Sequence, residues 1–170
     1  MAIRKIVTLP HPTLRRKARK VNGYGPDLQK LIDDMVETMR AAPGVGLAAP
    51  QIDIPLRVIV VEFGSEDDSD RPAKLFTVVN PEISRASQET VLGIEACLSI
   101  PGMAGDVERA EAITVKGFNR KGQPIKIKAD GWLARIFQHE IDHLDGVLFI
   151  DRAEKVWVIE GETTQVSPAE

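Results

Sequence analysis

Between Leu28 and Met39 the apolar positions are Leu28, Leu31, Ile32, Met35, Val36 and Met39, while Asp33, Asp34 and Glu37 face the other way. That is the i, i+3, i+4 recurrence of a helix with one buried stripe. Pro26 suits its start and Pro43 its end. A second pattern, period two with many β-branched residues, predicts strands. The best of them covers Pro55–Phe63 and contains the run Arg57-Val58-Ile59-Val60-Val61-Glu62-Phe63. Ile3–Leu9 reads as a short extended piece, and Leu75–Val79 as a strand ended by Asn80-Pro81. Glu82–Glu89 and Thr90–Leu98 continue the strand-like pattern, and the glycines and prolines from Pro101 to Gly105 break it. Ala112–Phe118 and Pro124–Ala129 read as a hairpin around Asn119-Arg120-Lys121-Gly122. Val147–Ile150 and Val156–Ile159 read as short strands. Gly64–Pro72 is expected to be an exposed loop, and Gly161–Glu170 a loose polar tail.

A second helix is expected after Asp130, with Asp130 as N-cap and Gly146 as the stop. At about 100° per residue, Leu133, Phe137, Ile141 and Leu144 share one side and face the core. Trp132, Ile136, His139 and His143 lie on the adjoining side, with Glu140 between the two. Gln138 and Asp142 are left for solvent. Strands outnumber helices and do not alternate regularly with them, so the fold class is α+β. Mixed or antiparallel sheets would wrap around this central helix, with an N-terminal helix added, in one domain over residues 1–170.

Composition changes this picture little. The chain has 170 residues, 43% hydrophobic and 28% charged, which suits a soluble domain with a sizeable core. No apolar run is long enough for a bilayer span, and neither a membrane nor a DNA partner is expected. A single cysteine allows no internal disulfide and suits a reducing compartment. Charge is uneven: the net value is −3, yet residues 1–20 carry Arg4, Lys5, Arg15, Arg16, Lys17, Arg19 and Lys20 and no acid. Pro10 and Pro12 argue against an amphipathic targeting helix there, so the expected location is the cytoplasm. This basic start could steer the chain to ribosomal RNA, or pair with the protein's own acids.

Candidate chemistry centres on Gln138-His139-Glu140-Ile141-Asp142-His143. Two histidines four apart on a helix stack on one face and can reach one metal ion, and the glutamate between them can take a proton from a bound water. A catalytic site of this type needs a third protein ligand. Phe149 occupies the place where one protease pattern puts a histidine, and Glu160 and Glu162, near the place of another pattern's glutamate, follow no second helix. His11, among prolines and basic residues, reads as a loop residue. Cys97 is the better third ligand, leaving an open fourth position. Ligand chemistry alone favours zinc for a Cys-His-His set. Gly44 and Gly46, one residue apart, could simply make a tight turn, or the small residues of this stretch, Val45 and Gly46 among them, could let a substrate backbone approach and pair. Gln51 offers an amide N–H to a developing oxyanion.

Three stretches in order, Gly44-Val45-Gly46-Leu47-Ala48-Ala49-Pro50-Gln51, Glu95-Ala96-Cys97-Leu98-Ser99 and the histidine motif, resemble the motifs of the peptide deformylases. Pro10-His11-Pro12-Thr13-Leu14-Arg15 is similar to that family's N-terminal segment, so the likeness covers nearly the whole chain. It implies hydrolysis of the N-formyl group from formylmethionine on nascent chains, with release of formate. It implies Cys97, His139 and His143 as metal ligands and Glu140 as proton carrier, with Gln51 and the Leu98 N–H as oxyanion donors. It also implies ferrous iron in the cell, with zinc, nickel or cobalt able to occupy the site. Three departures stand out: Ala96 where the family usually has glycine, and Trp132 and Arg135 where many bacterial members carry aliphatic residues. Two rival readings are a zinc peptidase and a binding protein with a structural metal. The first lacks its usual third ligand, and the second its fourth.

Overall fold

Val58, Ile59, Val60 and Val61 are all fully buried, which a strand achieves only when both of its faces are covered. The computed structural model, which describes residues 2–64 and 73–159, shows what covers them. Helix α1 (Pro26–Ala41) packs its Leu28, Leu31, Ile32, Met35, Val36 and Met39 stripe against Leu47, Val58, Val60 and Val79. Helix α2 (Gly131–Leu144) packs Ile136, Phe137, Ile141 and Leu144 against Ile59, Val61, Val78, Ile113 and Val115. The alternating side chains of one strand thus serve two helices. Complete burial of each such side chain is worth about 1.5–3 kcal/mol.

The strand in question is β2 (Val58–Phe63). It belongs to a five-stranded sheet ordered β1-β2-β3-β6-β7, with β1 Gly46–Ala48, β3 Lys74–Ala86, β6 Ala112–Phe118 and β7 Pro124–Asp130. A three-stranded sheet is ordered β4-β5-β8, with β4 Thr90–Cys97, β5 Ile100–Ala110 and β8 Lys155–Val158. Neighbouring strands in both sheets run antiparallel. The smaller sheet and a short helix α3 (Phe149–Arg152) enclose Cys97, Ile100, Val107, Leu148 and Phe149. The α+β expectation holds, with α2 between the two sheets' contributions to the core. No helix among the described residues is long and apolar enough to cross a membrane.

Several elements differ from the sequence expectations. β3 does not end at Asn80-Pro81 but runs to Ala86 through a register shift between Val79 and Glu82. Asn80 takes φ +52, and its amide bonds both the N–H and the carbonyl of Val21, so the proline falls in a bulge where no ladder donor is needed. The expected break at Pro101–Gly105 is confined to one edge. Pairing with β4 jumps from Cys97–Ile100 to Ala96–Ala104, but Met103, Ala104 and Gly105 pair with β8, and β5 continues. Val147–Ile150 is not a strand. Leu148 N–H bonds the Asp151 carboxylate, and the chain turns into α3. At the start of α2, Asp130 holds the N-cap position without a side-chain cap bond. At its end Gly146 takes φ +74, as a helix stop requires. Arg57 donates to the Leu144 carbonyl at 2.9 Å and to Asp145, closing the helix C-terminus. Most of the Gly64–Pro72 loop and the tail from Gly161 lie outside the described residues.

Candidate active site

β4 carries Glu95 and Cys97 on one face, since residues two apart on a strand share a side. The pairing of β4 with β5 slips between Ala96 and Cys97, a bulge of the kind that re-aims a side chain beside a site. α2 brings His139, Glu140 and His143, all buried, against that face. One ligand atom from each of Cys97, His139 and His143 lies within 4.8 Å of the others. Cys97 Sγ is 3.4 Å from His143 Nε2. A tetrahedral ion with ordinary metal–sulfur and metal–nitrogen bonds would hold such a pair at about 3.5 Å. The donor set and its spacing therefore fit one metal ion.

The surroundings orient these groups. Glu95 Oε1 faces His139 Nδ1 at 2.9 Å, which leaves Nε2 for the cluster. Burial opposes charge on His139, but Cys97 and Glu95 outweigh it and hold the ring well above its ordinary pKa. Anionic neighbours that favour a charged imidazole also favour a metal cation. His143 goes the other way, pushed well below its ordinary value by burial and by the charges of His139 and Arg109. Glu95 is buried too, yet its bonds to Arg109 and His139 overcome burial and hold it well below the usual carboxylate range.

Glu140 is different. Burial drives its pKa up to about 7, and its Oε1 is buried without a hydrogen-bond partner. Its other oxygen packs against β1: a Cβ on Gly46 would lie 2.6 Å from Glu140 Oε2. Gly46 is needed here for close approach rather than for backbone freedom. Gln51 sits in a short 3-10 turn (Ala49–Ile52) after β1. Its Oε1 accepts from Ala48 N–H at 3.0 Å, so Nε2 is turned toward Ser99 Oγ (3.2 Å) and Cys97 Sγ (3.7 Å). Val45 precedes β1, an edge strand, and Leu98 follows Cys97 directly with its side chain against Gly44. His11 stays apart from the cluster and caps the turn at Pro12–Arg15 through Thr13 N–H.

The expectation that Gln138 and Asp142 face solvent is corrected. Gln138 bonds both the N–H and the carbonyl of Ala110. Asp142 receives Arg109 and Arg152. Both are polar groups on a nearly encircled helix, and each found a partner in the neighbouring strand or helix. Sequence reasoning also missed Glu95, Arg109 and Ser99 as parts of the site. Glu95 could have been found from its place two residues before Cys97. Arg109 is distant in sequence and left no such signal. Phe149, noted only for standing where a histidine was sought, stacks near His139 with ring centroids 6.3 Å apart.

An α+β scaffold that sets a Cys-His-His cluster beside a buried, unpartnered glutamate is that of a hydrolase able to hold a single metal ion. Residues 3–157 match the family model described as polypeptide deformylase. The chain is 48% identical over 170 residues to a peptide deformylase of Symbiobacterium thermophilum, covering all of this chain and 76% of that one. It is 49% identical over 157 residues to peptide deformylase 1 of Bacillus subtilis, covering 92% and 94%. Among solved structures, the Thermotoga maritima peptide deformylase superposes with TM-score 0.84 at 39% identity, covering 91% of this chain and 100% of that one. An Ehrlichia chaffeensis peptide deformylase in complex with actinonin gives 0.85 at 38%, covering 91% of each. The chain belongs to the polypeptide deformylase family. Its activity is the hydrolytic removal of the N-formyl group from newly made polypeptides.

Proposed function

We propose that Cys97, His139 and His143 hold the metal ion, and that Glu140 carries the proton through the reaction. The observation that supports this most is the buried Glu140 carboxylate, with one oxygen unpartnered beside the ligand cluster. A divalent ion bound there would lower the pKa of a water toward about 7 and supply a nucleophile at neutral pH. Ferrous iron is the proposed ion in the cell, with zinc, nickel or cobalt able to replace it.

The formyl peptide lies extended along Val45 and Gly46, adding to the free edge of β1. Water oxygen adds to the formyl carbon while Glu140 takes its proton. The formyl oxygen, now carrying the negative charge, faces Gln51 Nε2 and the Leu98 N–H. Each such donor is commonly worth about 3 kcal/mol in the transition state. The C–N bond then breaks, Glu140 returns the proton to the departing amine, and formate and a free N-terminus result. The whole reaction sits in a single domain over 1–170, in the cytoplasm. Some of the basic N-terminal side chains pair internally, Arg4 with Asp34 and Arg15 with Asp151. Arg16 and Lys17 have no ion pair among the described residues and would meet the ribosome.

Formate release from formyl-Met-Ala, set against amine release from unformylated Met-Ala and read with metal content under anaerobic conditions, tests this assignment. Formate should appear in proportion to metal, and Cys97→Ala or His139→Ala should lose both. Ribosome docking is tested by co-sedimentation at rising salt. Binding unchanged after Arg15, Arg16 and Lys17 become glutamine would end that part.

A further inference from the structure

Arg135 stands one helical turn before His139, is only 5% exposed, and takes no part in the hydrolysis as described. Its Nη1 donates to Glu95 Oε2 at 2.7 Å and to the Val107 carbonyl at 2.8 Å, and its Nη2 donates to the Val91 carbonyl at 2.6 Å. Arg109 already forks onto the same carboxylate, Nε to Oε2 and Nη2 to Oε1, each at 2.8 Å. Oε2 therefore receives two guanidinium donors. Oε1 receives one, and its remaining approach is the one that faces His139 Nδ1. A carboxylate filled in this way is fixed in its plane and acts only as an acceptor. The ring opposite must then present an N–H at Nδ1 and keep its Nε2 lone pair for the cluster.

A second buried cation is costly unless its donors find acceptors, and here the strand has been shaped to supply them. A Cβ on Gly93 would lie 2.7 Å from Arg135 Cζ, so a side chain at residue 93 would push the guanidinium from the place where it bonds the Val91 carbonyl. Gly93 is not among the positive-φ residues, so the position uses its small size alone. The Trp132 ring covers the guanidinium from the helix side, its centroid 5.4 Å from Cζ. Trp132 and Arg135 thus form one interlocking unit with Gly93.

We infer that Arg135 is a positioning residue for deformylation: with Gly93 clearing its path, it pins the Glu95 carboxylate so that His139 presents Nε2 to the metal. This rests on the proposed assignment of His139 as a ligand.

The test uses the full chain and the variants Arg135→Met, Arg135→Lys and Gly93→Ala. Metal affinity is read by anaerobic titration with Co2+ alone, and kcat and KM by formate release from the Co2+ protein. The His139 Nδ1–H proton is followed by NMR in the Zn2+ protein. Arg135→Met should weaken Co2+ binding by ten- to hundredfold, the range for loss of a group that orients a ligand. It should lower kcat while KM stays within about threefold, and broaden the Nδ1–H resonance by exchange with water. Arg135→Lys, which keeps the charge but only one donor position, should recover part of each loss. Gly93→Ala should imitate Arg135→Met and add little to it when the two are combined. Where Arg135→Met fails to fold, the lysine variant and Gly93→Ala decide by the same readouts. Co2+ affinity and kcat within twofold of wild type, with only a lower melting temperature, would reduce Arg135 to a structural brace and overturn the inference. A raised KM at unchanged affinity would do the same, by making it a substrate contact. Failure of the underlying assignment looks different: His139→Ala would then bind Co2+ as tightly as wild type.

Discussion

Two helices each bury a carboxylate, and the protein treats the two in opposite ways. On α1, Asp34 is fully buried and accepts from Ala2 N–H at 2.7 Å, Arg4 Nε at 2.9 Å and Lys30 Nζ at 3.1 Å. Burial alone would raise its pKa, but Arg4 and Lys30 overcome that and bring it down to about 2. On α2, Glu140 is likewise shielded from solvent but lies far deeper in the protein and has no direct cation partner, and its pKa rises to about 7. Full satisfaction makes Asp34 a clamp that ties the N-terminal segment to α1. Partial satisfaction leaves Glu140 able to gain and lose a proton near neutral pH. An unpartnered oxygen does not mark a site by itself, because Glu37 on α1 also has one. The cluster of Cys97, His139 and His143 beside Glu140, which could hold a metal ion, makes the difference.

The largest effect that would break this contrast is expected at Glu140. Glu140→Gln keeps the shape and removes the proton acceptor, so formate release should fall at least about hundredfold while metal per chain and far-UV signal stay as in wild type. Near-normal turnover would remove Glu140 from the mechanism. Asp34→Asn should do the reverse. Losing charge-assisted bonds at a buried group should cost about 1.5–3 kcal/mol in urea unfolding, with turnover per folded molecule unchanged. A drop in turnover without a drop in stability would place Asp34 in the wrong class.

Acid and base should separate the two carboxylates as well. Asp34 has a folded pKa below its unfolded one, so its stabilisation is present above pH 3.8 and is lost as pH falls through about 2. Glu140 has a folded pKa above its unfolded one, so its favourable contribution is complete below pH 4.5 and is lost as pH rises through about 7. Metal-free wild type should therefore lose stability between about pH 4.5 and 7 relative to metal-free Glu140→Gln, measured by urea midpoints. Parallel curves for the two proteins would contradict the assignment.

The contrast was only half legible in the sequence. Helix periodicity placed both stripes correctly, because Leu28–Met39 and Leu133–Leu144 each follow the 3.6-residue repeat. It also set His139 and His143 on one face. It set Asp34 outward, however, because periodicity counts acids as polar and cannot see Arg4 arriving from thirty residues away. The same blindness sent Gln138 and Asp142 to solvent. Val147–Ile150 failed for another reason: a four-residue apolar run fits a strand or a turn of helix equally well, and the Asp151 carboxylate on Leu148 N–H decided the outcome. Asn80-Pro81 does not end the strand because a proline is tolerated at a bulge, and the sequence does not show the Val21 segment that bonds Asn80 at that bulge. What periodicity and local chemistry determine was readable. What a distant chain segment supplies was not.

The smallest effect is expected at Ala96, which stands between Glu95 and Cys97 on β4. Its φ is not positive, and it pairs with Ala104 as the last regular pair before the register shift of the β4–β5 ladder. Neighbouring side chains on a strand point to opposite faces, so with Glu95 and Cys97 turned to the cluster the Ala96 methyl points away, toward Ala104. Removing that methyl frees the backbone of the unfolded chain and loses a buried contact, which should cost about 0.5–1 kcal/mol of stability. It should leave the ligand geometry alone. Ala96→Gly is therefore expected to change kcat/KM by less than about tenfold, or about 1.4 kcal/mol, with Co2+ affinity unchanged. A much larger gain in the glycine variant would mean that the methyl distorts Cys97 through the bulge beside it. The low-activity partner in that comparison would then be the wild-type chain, and the contrast between Asp34 and Glu140 would have to be redrawn around a site that is not at its best geometry.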